Sequence, residues 1–103
     1  MPISQNQFLL IRKHARERAQ ERWGVAIHNA DNCIVDVFKN GYPYGAQRGN
    51  GCMFKLDNRV ICVEVARGTA TCRTVLTFEM AQAQTSLMDI KTNAGGRYVK
   101  KQR

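Results

Sequence analysis

Acidic residues are scarce in this chain: 8 Asp and Glu stand against 16 Lys and Arg over 103 residues, leaving a formal charge of +8. That surplus points towards nucleic acid or another acidic partner without choosing between them. No run approaches the roughly 18 apolar residues needed to span a bilayer, so no membrane partner is expected. The N-terminus lacks the basic start, apolar run and small-residue cleavage site of an export signal, and a cytoplasmic protein is the expectation.

Histidine is rarer still, with two in the chain, and the four cysteines, Cys33, Cys52, Cys62 and Cys72, lie 19, 10 and 10 residues apart. There is no CxxC pair and no histidine cluster to complete a zinc site, so neither a metal nor any cofactor is expected. The cysteines sit mostly in apolar segments, where a reduced thiol acts as a small hydrophobe. Also missing are a Walker loop, a dinucleotide fingerprint, a serine nucleophile elbow and HExxH. "GAQRGNG" has neither the lysine nor the helix start of a phosphate loop. No internal repeat is visible, and no low-complexity block suggests disorder throughout.

What remains is an ordinary globular composition, 44% hydrophobic and 23% charged, in a length suited to one domain with one modest core. In "SQNQFLLIRKHARERAQERW" the residues Phe8, Ile11, Ala15, Ala19 and Trp23 recur at three- and four-residue steps. This predicts a first helix capped by Ser4 or Asn6 and closed by Gly24. "NADNCIVDVFKNG" predicts a second, with Asn29 as N-cap, Asp31 in the first turn, an Ala30, Ile34, Val37, Phe38 stripe and Gly41 at its end. "GYPYGAQRGNG" reads as a loop with room for a short strand around Tyr44 to Arg48.

Three β-rich runs follow, "CMFKL", "RVICVEVA" and "TATCRTVLTF", separated by Asp57-Asn58 and Arg67-Gly68. Two-residue turns would pair Phe54 with Ile61 and Val63 with Cys72. Phe54, Ile61, Val63, Val65, Cys72, Leu76 and Phe78 then share the core face, and Lys55, Cys62, Glu64, Thr71, Arg73 and Thr77, with Val60 and Val75, share the other. "EMAQAQ" suits a short helix or the end of the last strand. The expected fold class is α+β, two N-terminal helices packed on a small antiparallel sheet. Residues 1–84 form the single domain and 85–103 a flexible basic tail.

The first helix places His14, Arg18 and Arg22 along one flank, with Arg12 and Arg16 on neighbouring rows. One reading is a solvated face in which Glu17 and Glu21 pair with Lys13 and with Arg18 or Arg22, at about 0.3 to 0.5 kcal/mol per pair. The other is a phosphate-binding flank, since guanidinium groups bind phosphate bidentately and release counterions. Tyr42 and Tyr44, with Arg48 in the same loop, could pack beside a turn or stack on unpaired bases. His14 in its neutral form can accept a proton, as a general base must when RNA is cleaved by its own 2′-hydroxyl.

The opening "KHARERAQERWG" and the closing "TCRTVLTF" resemble the small toxin-nuclease group that includes the RelE and BrnT toxins. The "H-x-R-x-R-x-x-x-R" pattern is matched by His14, Arg16, Arg18 and Arg22, and the likeness covers roughly Arg12 to Phe78. It implies a compact α+β fold with an RNA-binding face and metal-independent RNA cleavage. On it the matching candidates are Arg73 and Thr77 on the last strand, Lys55 on the first hairpin, and His14 and Arg18 on the helix. The pattern departs from the group at its C-terminal end, where the only tyrosine, Tyr98, falls in the tail.

The resulting expectation is an RNA-binding endoribonuclease with His14, Arg73 and Thr77 catalytic. Arg12, Arg16, Arg18, Arg22, Arg48, Lys55, Tyr42 and Tyr44 bind RNA, with the ribosome and an antitoxin as partners. The alternative is a non-catalytic interaction protein that binds or inhibits a host nucleic-acid-processing protein.

Overall fold

The computed structural model describes residues 4–46 and 51–83. The fold is α+β. Strand β1 (Leu9–Ile11) is followed by helix α1 (Lys13–Trp23), a single 3-10 turn (Ile27–Asn29) and helix α2 (Ala30–Asn40). Four strands then run in sequence: β2 (Tyr42–Ala46), β3 (Gly51–Leu56), β4 (Arg59–Ala66) and β5 (Thr69–Thr77). Residues 78–83 are helical. The sheet order is β1-β5-β4-β3-β2, antiparallel throughout except that β1 runs parallel to β5.

The sheet is therefore mixed, not purely antiparallel, and the helices do not come first. Leu9, Leu10 and Ile11, expected within the first helix, pair with Ala70, Thr71 and Cys72. A short apolar run gains more by completing a ladder beside β5 than by extending a helix whose next turn is almost wholly charged. Phe8, expected in the core, is 78% exposed. The helix begins after Arg12, and the Ser4 hydroxyl instead accepts from the Asn6 N–H.

From Ala15 onwards the expected stripe holds. Ala15 and Ala19 are buried, Trp23 packs at the edge of the same core, and Gly24 ends α1 in the left-handed region at φ 71°. α2 buries all four expected residues, Ala30, Ile34, Val37 and Phe38. Gly41 then has no room for a side chain, because a Cβ there would meet the Val37 and Lys55 carbonyl oxygens at 2.5 and 2.6 Å. The Gln5 side-chain amide closes this corner by donating to the carbonyls of Phe38 and Gly41 at 2.8 and 2.7 Å.

Both hairpins have the expected two-residue turns, with Phe54 opposite Ile61 and Val63 opposite Cys72. Arg67 and Gly68 both take positive φ, the turn geometry that matches the strand twist. Beyond Cys72 the expected alternation fails. Cys62 lies opposite Thr74 while Val63 lies opposite Cys72, so Arg73 is an extra residue, a β-bulge. Val75 accordingly joins the helix-side core, while Leu76 and Phe78 join a second cluster on the other face with Met53, Val60, Cys62 and Ala81.

Candidate nucleic-acid interface

Strand β1 covers β5 only as far as Cys72, and α1 takes over where it stops. The Arg12 N–H donates to the Cys72 carbonyl at 3.2 Å as the chain turns into the helix. At the far end of α1 the Arg22 guanidinium donates to the Val75 carbonyl at 2.8 Å and the Trp23 indole N–H to the Leu76 carbonyl at 2.9 Å. The helix is thus moored along β5, with Arg73 and Thr74 between its two anchor points.

The bulge sets the direction of Arg73. Its Nε lies 3.7 Å from Glu64 Oε1, and both side chains are about half exposed. Val63 is in the helix-side core, so Glu64, the next residue of β4, is on the opposite face, and Arg73 reaches that face too. Arg12 enters alongside Arg73 across the β1–β5 seam, and exposed His14 follows in the first turn of α1. The N-cap Arg12 makes no capping bond, and the first turn holds no acidic residue. Each cation there opposes the helix dipole at a cost of roughly 0.3 to 1 kcal/mol, which a bound anion would offset.

The remaining arginines of α1 divide by role. Arg16 grips Asp31 of α2 through both nitrogens of one edge, Nη2 to Oδ2 at 3.2 Å, and this hydrogen bond raises its proton affinity. Arg16 and Arg22 are therefore committed to holding α1 in place. Arg18 Nη1 is 3.0 Å from both oxygens of Glu21, and Lys13 Nζ is 3.8 Å from Glu17, the two pairs expected of a solvated face. Such pairs are weak enough for a phosphate to displace their carboxylates.

A second group gathers at the β2 side of the sheet. Tyr42 pairs with Lys55, whose Nζ is 3.4 Å from the Tyr42 hydroxyl and 4.7 Å from the centre of the Phe78 ring. Phe78 in turn meets Tyr44 edge-on at 5.4 Å. Tyr42 is 56% exposed, its ring lying 5.5 Å from Lys55 Nζ, whereas Tyr44 is half-buried against the second cluster. Sequence periodicity missed Phe78 because it took the strand for unbroken and put this ring on the core face. Lys55 and Arg73 share the face away from the helices. Lys55 is in the row of Val60 on β4 and the bulged Arg73 falls between the rows of Cys62 and Val63, two to three residues or about 7 to 10 Å away along the strand.

Thr77 does not join them. The bulge turns it to the helix side, opposite Arg59, whose guanidinium lies over the Trp23 ring at 5.3 Å. Its Oγ1 accepts from the Met80 N–H at 3.2 Å and so caps the helical residues that follow. Of the expected catalytic residues, Arg73 and Thr77 are therefore split between the two faces of the sheet, and His14 lies exposed in the first turn of α1. Arg48 and Tyr98 lie outside the described residues.

Among the described residues no three His, Cys, Asp or Glu side chains converge as metal ligands, and no helix is long and apolar enough to cross a membrane. Burial pushes the Cys72 thiol up to about 12, with the Cys62 sulfur adding to it, and burial raises Cys52 as well. Neither is an activated nucleophile. No protein-family model, no curated protein and no solved structure matches the chain.

Proposed function

We propose that this chain binds RNA along the α1–β5 edge and cleaves it in the manner of a metal-independent endoribonuclease. The observation that carries this reading is the bulge at Arg73, an exposed guanidinium on the strand that the Arg12 N–H joins at Cys72, with exposed His14 two residues beyond Arg12 in the chain. Bulges re-aim side chains beside functional sites. Arg12 and Arg73 would hold the scissile phosphate while His14 takes the proton from the neighbouring 2′-hydroxyl. The 2′-oxygen then bonds to phosphorus as the bond to the 5′-oxygen breaks, and the leaving oxygen takes its proton from solvent. Lys55 and the exposed Tyr42 ring extend the contact to the next nucleotides by charge and stacking.

A second reading, binding without cleavage and directed at a host nucleic-acid-processing protein, is favoured by one observation. Thr77 is occupied as a cap on the helix side of the sheet and so is not the acid that the cleavage reading expected beside Arg73.

The two readings separate in one assay. RNA, with and without ribosomes, is incubated with wild type, His14→Ala and Arg73→Ala, each checked for folding by circular dichroism. Cleavage by wild type and a loss of about a hundredfold or more in His14→Ala are expected, the scale of a missing general base. RNA bound but intact supports the second reading, and RNA neither bound nor cut sinks the first.

A further inference from the structure

β1 is an edge strand of the sheet, with Leu9 buried at 6% exposure and Ile11 half-buried. Among the described residues β1 pairs only with β5, and in a strand the N–H and C=O groups of successive residues point to opposite sides. The Arg12 N–H points inward to Cys72, so Leu10 likewise faces β5, while the N–H and C=O groups of Leu9 and Ile11 face outward. Two large apolar side chains stand beside these groups, Phe8 at 78% and Leu10 at 45% exposed. Next to them come exposed Arg12 and Lys13, the latter with 86% of its side chain open to solvent. Glu17 and Glu64, the acidic groups nearest this end, already face Lys13 and Arg73.

We infer that the outer edge of β1 takes up an acidic, extended segment of another protein as an additional strand. Backbone groups of Leu9 and Ile11 would supply the ladder bonds, Phe8 and Leu10 would cover alternate apolar side chains of the incoming strand, and Arg12 and Lys13 would meet its carboxylates. Charge argues against a second copy of this chain as occupant. A second copy would bring together two molecules each carrying +8. This inference shares Arg12 and Lys13 with the RNA reading and is distinguished from it by the ladder, since an additional strand requires a polypeptide backbone.

The test uses the full chain with a ten-residue peptide alternating valine and glutamate, its lysine-for-glutamate counterpart, and a version with a central proline. Amide exchange is followed residue by residue, alongside binding by anisotropy. The acidic peptide should slow exchange at Leu9 and Ile11 at least tenfold and leave Leu10 unchanged. Its affinity should fall about tenfold in Arg12→Glu and again in Lys13→Glu, and the proline peptide should not bind. Any of four results overturns the inference: unchanged exchange at Leu9 and Ile11, equal binding of the basic peptide, protection without peptide together with a dimer mass, or the same protection from a single-stranded oligoribonucleotide. RNA cleavage, assayed separately on the same preparation, succeeds or fails independently of these results.

Discussion

Cys72 sits just before the bulge, its Sγ 3.4 Å from the Thr74 carbonyl and fully enclosed by the core. The buried thiol resists ionisation up to about 12, whereas the unfolded chain gives up that proton near the ordinary thiol value of about 8.5. A raised pKa stabilises the fold below the unfolded value and loses that contribution as pH rises. Stability should therefore decline between about pH 9 and 12, by up to roughly 1.4 kcal/mol per pH unit. Urea unfolding of wild type against Cys72→Ala across this range checks it, with the variant giving the flatter profile. The arginines show the same dependence on place. Arg16 and Arg22 are spent on Asp31 and on the Val75 carbonyl, while Arg12, of the same type and only a few residues away, stays exposed.

At the scale of elements, the bulge is what separates β5 from an unbroken strand. Removing the single extra residue would put Cys72 directly before Thr74 and leave every later residue on its present face, Val75 inward and Leu76 outward. A chain lacking Arg73 should thus fold with a melting temperature within a few degrees of wild type, since an irregular ladder position becomes a regular one. RNA affinity should nevertheless drop, and the dependence of log affinity on log salt should flatten by about 0.7, the share of one phosphate contact on a single strand. Thermal melts and filter binding of this deletion measure both. A collapse of the fold would show that the bulge is there for packing.

Across the whole molecule, charge and apolar surface are apportioned by the sheet. The helices and one face build the larger core around Phe38, Phe54 and Ile61, and the other face carries Lys55 and Arg73 on either side of the smaller cluster. If Arg12, Lys13, Arg18, Lys55 and Arg73 each meet a phosphate, about five contacts give a log–log salt slope near −3.5. Affinity for single-stranded RNA should then fall about a hundredfold between 50 and 200 mM salt. A slope near zero would mean that the +8 charge does not engage the backbone and that the basic edge serves another purpose.

Much of the fold was legible in residue order alone. The α2 stripe, the Ala15 and Ala19 face of α1, both two-residue turns and the Phe54–Ile61 and Val63–Cys72 pairs follow from local periodicity and turn chemistry, which act over a few residues. The solvated-face pairs Lys13–Glu17 and Arg18–Glu21 follow from helical spacing in the same way. Three features had no local signal. Leu9–Ile11 became a strand because β5, some 60 residues later, offered a parallel edge. Arg73 became a bulge because the cores on the two faces needed Cys72 and Val75 on one side and Leu76 on the other. Thr77 was thereby turned away from Arg73. Sequence spacing specifies which residues can share a face of one element, and it determined this chain's helices, turns and charge. Only long-range strand pairing, which satisfies backbone hydrogen bonds and closes both clusters at once, decided which basic residues meet.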